Sequence, residues 1–327
     1  MLFYFYCPEY WTPSKRLQTA RNFDEKTYLL RVYDFSINFL GKNMLKIALP
    51  NKGALSEGAI ALVKNAGYKI RRSGKALVCT DNVNNVEFYF LRPKDITAYV
   101  SSGVFTFGIT GRDIVQDTNF DNVDETLALG FGKSRMRYII PGQDEFPGLE
   151  LFEGKRIACS YPILVKKHLE ANNINAEIVK LDGAVEISIQ LGIADAAADV
   201  VETGTTIKQA GLKTVGDIIL HSEAILISAD KNLNQNEDAK AFIKRLSGII
   251  VARKYVMLEY DIPADKVEEA CKIVPGLESP TISALHDPNW KGVKAMIPSG
   301  EINSSMDQLE ALGAKGIIAT DIRTCRL

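Results

Sequence analysis

Histidine is scarce in this chain and cysteine is scattered. Only His168, His221 and His286 occur in 327 residues, and no two stand at a spacing that would place them on one metal ion. The five cysteines, Cys7, Cys79, Cys159, Cys271 and Cys325, are odd in number, far apart and form no CxxC pair. That pattern excludes a zinc knuckle and a disulfide framework, and predicts reduced thiols in a cytoplasmic protein. Neither sign of charge dominates: 39 basic residues face 40 acidic ones, for a net charge of −1. A dedicated nucleic-acid binder carries a basic excess, so no nucleic-acid partner is expected, while a local basic pocket for a phosphorylated small molecule stays open. No run of about 18 apolar residues exists, which excludes a transmembrane helix and predicts no membrane partner. The opening MLFYFYCPEYWTP is aromatic, lacks the early positive charge of a signal peptide and is interrupted by Pro8 and Glu9. With 46% hydrophobic and 24% charged residues, the composition is that of a globular protein and not of a disordered one.

What is present begins in earnest at Met44. In MLKIALPNKGAL, Leu45, Ile47 and Leu49 alternate with smaller or charged neighbours, a strand signal, and Pro50, Asn51 and Gly53 make a turn. Leu55, Ala59, Leu62, Val63 and Ala66 follow at helical spacing, and Gly67 ends the helix. Strands and helices then alternate to about residue 229, which argues an α/β architecture with mostly parallel sheets, in two lobes because the stretch exceeds one comfortable core. The last 75 or so residues read β-α-β-β-α-β, the ferredoxin-like order. The expected organisation is therefore an N-terminal extension at 1–43 outside the core, a first lobe at 44–134 with 222–245 returning to it, a second lobe at 135–221, and a separate C-terminal unit at 246–327.

The most informative stretch is Asp195-Ala-Ala-Ala-Asp199-Val-Val-Glu202-Thr203-Gly204-Thr205-Thr206. An apolar strand carries an acid near its end, and a Thr-Gly-Thr-Thr loop opens a helix. Backbone N–H groups and hydroxyls of such a loop can wrap a phosphate, and Gly204 permits close approach. Asp199 can accept bonds from neutral hydroxyls beside it, so the pair of features describes a 5-phosphoribosyl site. An ordinary strand–turn–helix with a threonine cap would read the same way. Glu186, thirteen residues earlier, is a second acid able to face one pocket at the strand ends, or simply a solvated acid at a helix N-terminus. Lys52, Arg92, Lys94, Arg112, Arg135 and Arg137 fall at strand ends, where polyphosphates need clamps; each taken singly also reads as a surface charge.

Taken together, MLKIALPNKGALSEGA, NNVEFYFLRPKDITAYVSSG, FGITGRD, LGFGKSRMRY, RIACSYPILV, LDGAVEIS, LGIADAAADVVETGTT, GLESPTI and GAKGIIATDIR resemble the ATP phosphoribosyltransferase family of histidine biosynthesis, in its long form with a C-terminal regulatory domain. The resemblance runs from Met44 to Leu327. It implies a two-lobed type II periplasmic-binding-protein-like catalytic core plus a ferredoxin-like regulatory domain. The implied reaction transfers the phosphoribosyl group of PRPP to N1 of the ATP adenine with Mg²⁺, releasing pyrophosphate. The phosphate loop maps onto Val200, Val201, Glu202, Thr203, Gly204, Thr205 and Thr206. The acids near ribose and magnesium map onto Glu186 and Asp199, with no direct protein ligand assigned to the metal. The ATP and pyrophosphate residues map onto Lys52, Arg92 and Arg112.

By the same resemblance the C-terminal unit binds L-histidine as an inhibitor through Asp261, Leu277, Ser279, Thr281 and Gly316, and the chain forms a homo-oligomer, a dimer or hexamer. Three positions depart from the pattern: Glu202 stands where a small residue is usual, Thr106 where an acid often precedes the strand, and Gly316 where alanine is often seen. A carboxylate at 202 is expected to point away from phosphate. Three rival readings are a solute-binding module of the same fold, a regulatory paralogue without turnover, and a phosphoribosyltransferase acting on a free base.

Overall fold

The computed structural model describes residues 44–71, 74, 76–202 and 204–326. The expected extension at 1–43, with Cys7, lies outside the described residues, as does Thr203 of the phosphate loop.

The first lobe contains β1 (Leu45–Pro50), α1 (Gly53–Asn65), β2 (Val78–Asp81), β3 (Val86–Leu91), α2 (Pro93–Ser101), β4 (Phe107–Gly111), α3 (Arg112–Gln116) and β5 (Asp124–Ala128). The period-2 pattern of β1 sorts its side chains onto two cores. Ile47 and Leu49 join Phe88, Phe90 and Phe107 under α1, while Ala48 joins Ile96 and Val100 of α2 on the other face. α2 starts on Pro93, whose missing N–H is one the first helical turn leaves unused anyway.

The chain then crosses to the second lobe: β6 (Ser134–Pro141), β7 (Arg156–Cys159), α4 (Pro162–Ala171), β8 (Glu177–Lys180), α5 (Ile187–Gln190), β9 (Ala196–Val201), α6 (Thr205–Gln209) and β10 (Leu212–Ser222). It returns to the first lobe through β11 (Ala224–Ser228) and α7 (Glu237–Ala252). The side chain of Asn236 accepts from the Ala239 N–H and so starts α7.

Two sheets result. The first runs β2-β3-β1-β4-β11-β5 and the second β10-β6-β9-β7-β8. Apart from the edge strand β2, each places its own first strand between its second and third, followed by the crossing strand (β11 or β6) and then the last (β5 or β10). This is the type II two-lobed arrangement that the family resemblance implies. The sheets are not mostly parallel, as the alternation of elements had suggested. β1 is parallel to β3 and β4, and β7 to β8 and β9, but β11 and β6 run antiparallel to their neighbours. A strand that enters its sheet from the other lobe arrives from the opposite end, which reverses its direction.

α7 packs on the first lobe from Ala239 to Ile249. Ala239, Phe242, Leu246 and Ile249 share one buried cluster with β1, β3 and α1, and the Phe242 ring stacks on Phe107 at 5.5 Å. The boundary expected at 245/246 falls inside this helix, because its apolar stripe continues unbroken past Leu246.

The C-terminal unit consists of β12 (Tyr255–Pro263), α8 (Val267–Ile273), β13 (Thr281–Ala284), β14 (Trp290–Pro298), α9 (Ile302–Leu312) and β15 (Lys315–Asp321). Its antiparallel sheet runs β13-β14-β12-β15, the ferredoxin-like order. Val256, Leu258, Tyr260 and Ile262 pack on α8 and α9. β13 is exposed along its whole length.

Candidate active site

β9 delivers Asp199. Ala196, Ala198 and Val200 face one core of the second lobe, so Ala197, Asp199 and Val201 face the other, the side covered by α5 and α6. Asp199 Oδ1 accepts from the Val200 N–H at 2.8 Å. Burial pushes its pKa up to about 6, opposed by that hydrogen bond and reinforced by the charges of Glu186 and Asp113. Glu186 lies immediately before α5, half-buried. The structure therefore brings the two sequence-selected acids within electrostatic reach of each other.

A third acid, Asp113, was not selected from sequence. It sits in the first turn of α3, 7% exposed. Ser222 Oγ donates to Asp113 Oδ1 at 2.7 Å and accepts from the Asp113 N–H at 3.1 Å. The Tyr161 phenol of the second lobe also hydrogen-bonds to Asp113, and burial, first, with that acid, holds the phenol far above its ordinary range. The available signal was an acid directly after Arg112 at the end of β4; no local pattern separates it from a first-turn helix acid.

The phosphate loop follows β9. Val201 is buried, and Gly204 takes a left-handed conformation (φ 75°, ψ 6°) where α6 begins. Thr205 and Thr206 are exposed in the first turn of that helix. Glu202 is exposed, and its carbonyl accepts from Arg135 Nη2 at 3.5 Å. Glu202 lines a cavity of about 440 Å³ at the crossing between lobes, together with Arg112, Lys133, His221 and Glu223.

The expected clamps differ in their surroundings. Lys52 and Arg92 are exposed at the residues preceding α1 and α2. Arg112 is engaged. Its Nε and Nη2 donate to the two Glu125 oxygens at 2.9 and 2.7 Å, its Nη1 donates to the His221 carbonyl at 3.1 Å, and Glu223 lies 3.5 Å away. Two further links span the lobes: Lys94 pairs with Asp182 at 3.2 Å, and Asp117 caps α4.

In the C-terminal unit, Asp261 is exposed and stands opposite Gly292 on one side and Lys315 on the other, next to Gly316. Thr281 pairs with Lys294, whose other neighbour is Glu259. β14 thus separates Thr281 from Asp261 and Gly316 within one chain. Leu277 is 45% exposed and Ser279 is exposed on the segment leading to β13.

The donor set bears on the magnesium that the resemblance implies. Among the described residues no three or more His, Cys, Asp or Glu side chains are grouped to hold a metal ion. Asp199 and Glu186 fit only a magnesium held mainly by substrate phosphates, since that ion keeps several waters and needs one or two carboxylates. No helix among the described residues is long and apolar enough to cross a membrane. Cys79, Cys159, Cys271 and Cys325 are free.

Comparison with known proteins decides the family. The model of the family "HisG: ATP phosphoribosyltransferase" matches residues 92–248, and that of the "HisG, C-terminal domain" matches 252–324. An ATP phosphoribosyltransferase of Corynebacterium diphtheriae is 50% identical over 284 residues, spanning 87% of this chain and 100% of that protein. The chain belongs to the ATP phosphoribosyltransferase family. It is a pentosyltransferase of the first step of histidine biosynthesis. The ATP phosphoribosyltransferase of Mycobacterium tuberculosis is 49% identical over 285 residues, 86% of this chain and 100% of its own. Among solved structures, the ATP phosphoribosyl transferase (HisG:HisZ) complex from Thermotoga maritima superposes with a TM-score of 0.55 at 25% identity, covering 62% of this chain and 97% of that one.

Proposed function

We propose that the ATP phosphoribosyltransferase reaction takes place at the β9–α6 junction, with Asp199, Glu186 and the loop 200–206 as its centre. The observation that carries this reading is a half-buried Asp199 beside Glu186, directly ahead of a loop whose Gly204 adopts the left-handed backbone. The N–H groups and hydroxyls of Val200, Val201, Glu202, Thr203, Gly204, Thr205 and Thr206 hold the 5-phosphate of PRPP. Gly204 lets the backbone approach that phosphate closely. Asp199 and Glu186 accept from the ribose hydroxyls and fix the ring.

The adenine N1 is a weak nucleophile, so holding it in line with the anomeric carbon supplies a large part of the rate. As the bond to pyrophosphate lengthens, positive charge develops on the sugar, and the nearby carboxylates stabilise it. Lys52 and Arg92, exposed at the edges of the first lobe, receive the phosphate groups of the nucleotide and the leaving pyrophosphate. Arg112, oriented by its pairs with Glu125 and Glu223, joins Lys52 and Arg92 in that role. Asp199 and Glu186 would hold a Mg²⁺ ion bound mainly through substrate phosphates, and that ion would supply charge neutralisation for the departing pyrophosphate.

The C-terminal unit is proposed to bind L-histidine through Asp261, Leu277, Ser279, Thr281 and Gly316 and to inhibit from a distance. The exposed sheet edge at β13 supports a homo-oligomer, and four free cysteines suit a reducing cytoplasm. The test of the reaction is direct. With PRPP, ATP, Mg²⁺ and pyrophosphatase, the purified chain should build up phosphoribosyl-ATP absorbance; no product would overturn the reading.

A further inference from the structure

A second cavity lies beside the phosphate loop, enclosing about 390 Å³ between α6 and the strands β6 and β10. Its wall is cationic. Arg135, Arg137, Lys208 and Lys213 line it together with Gly204 and Thr214, and no carboxylate among the described residues does. None of these four cations forms an ion pair among the described residues.

The local structure explains the clustering. Arg135 and Arg137 are two apart on β6, so both leave the same face of the sheet. In register, Arg135 stands opposite Val201 and Arg137 opposite Asp199. The cavity is thus continuous with the face that presents the phosphate loop. Lys208 comes from α6 above, and Lys213 from the start of β10.

Of the four, Arg137 is the one with a buried side-chain N–H that lacks a partner among the described residues. Its Nη2 donates to the Gly216 carbonyl at 2.8 Å, where β10 bulges, but its Nε is buried without a partner among the described residues. A buried, unpaired guanidinium N–H among three other cations disfavours the empty state. An anion entering the cavity would supply the missing acceptor and relieve the mutual repulsion. Among the described residues no aromatic side chain lines the space, so these residues offer no platform for a purine ring.

We propose that this cavity binds a linear phosphate chain, the polyphosphate of one of the two substrates, with Arg137 as its inner donor and Lys208 and Lys213 as its outer clamps. The proposal rests on the reaction proposed above and adds second-lobe donors for one phosphate chain to those of the first lobe, where Arg112 is already paired with Glu125 and Glu223. Two sources share the chemistry: the triphosphate of ATP and the pyrophosphate of PRPP.

The experiment uses the full chain and two variants, the double substitution Lys208→Gln with Lys213→Gln, and Arg137→Lys. The glutamines retain most of each stem at half-buried or exposed positions, so the double variant should fold even where Arg137→Lys does not. Calorimetric titration with inorganic tripolyphosphate should show binding to the parent chain, weakened at least tenfold in the double variant. In turnover, a rise of tenfold or more in the KM for ATP, with a smaller change in kcat, assigns the cavity to the triphosphate. The same rise for PRPP assigns it to the pyrophosphate. A folded double variant with tripolyphosphate affinity and both KM values within twofold of the parent would overturn the proposal. If the parent binds tripolyphosphate through these residues yet makes no phosphoribosyl-ATP, the cavity assignment stands and the proposed reaction falls.

Discussion

Asp117 and Ile163 belong to different lobes and are joined by one oxygen: Asp117 Oδ1 accepts from the Ile163 N–H at 2.8 Å, and from the next N–H, that of Leu164, at 3.0 Å. A side chain of the first lobe therefore caps a helix of the second. Loss of such a cap typically costs about 1 kcal/mol. Asp117→Ala should lower the melting temperature by a few degrees and raise the KM for both substrates, because the lobes lose a tie. Asp117→Asn keeps an acceptor and should recover most of both. Unchanged KM values in the alanine variant would show that the cap serves stability alone.

Asp199 sets up a conflict between stability and chemistry. Its folded-state pKa, about 6, is raised above the ordinary carboxylate value, chiefly by burial and further by Glu186 and Asp113. Such a group contributes stability at pH below about 4, and that contribution is lost as pH rises through 6. Asp199→Asn should abolish this component, so the stability of the variant relative to the parent should increase from pH 4 to pH 8. Its turnover should fall on the order of 10²–10³-fold. Thermal melts across pH, paired with kcat, check both halves.

Gly204 holds the loop by its backbone. An added Cβ would meet only Val201 Cγ1, at 3.7 Å, so space is not the obstacle; the obstacle is φ at 75°. Gly204→Ala should cost about 1 kcal/mol through that conformation. Gly204→Val, which is also branched, should cost more and should nearly abolish PRPP use. A melting series and the KM for PRPP measure the two effects; normal PRPP kinetics in the valine variant would remove Gly204 from the phosphate site.

Histidine sensitivity is expected to depend on Asp261 and not on the core. The side chain is exposed on β12, far in the chain from β9. Asp261→Ala should weaken inhibition by histidine at least tenfold while leaving uninhibited kcat within twofold. Inhibition curves at saturating PRPP decide it, and full sensitivity in the variant would refute the placement.

A chain beginning at Met44 should fold and turn over like the full one. Every described element begins after that residue. The comparison of kcat and melting temperature between the two chains is the check. A large loss in the shorter chain would show that residues 1–43 support the core.

Local periodicity explains which elements could be read in advance. β1 alternates cleanly, and α7 carries Phe242, Leu246 and Ile249 on one stripe, so both were legible. β2, β5 and β10 were not. β2 is four residues at a sheet edge, β5 is DETLA with two acids, and β10 is broken where its register slips between Val215 and Leu220 around Gly216. The phosphate loop was legible because its chemistry is in consecutive backbone groups. Asp113, Asp117 and Tyr161 were not, since their partners lie tens of residues away in the other lobe. Arg112 shows the converse limit: its position at a strand end was clear, but its capture by Glu125 and Glu223 was a matter of tertiary contact.

The second lobe enters and leaves through one doorway. Ser134, where it begins, is the register partner of Ser222, where it ends. The first lobe is interrupted in sequence but not in space, since β11 pairs with both β4 and β5 on its return. The second lobe is in effect a cassette with adjoining ends. A short turn from residue 134 to residue 222 would close the gap, leaving a first lobe whose strands still neighbour one another. The same geometry lets the equivalent lobe of a relative be exchanged at these two residues without altering the path of the chain on either side.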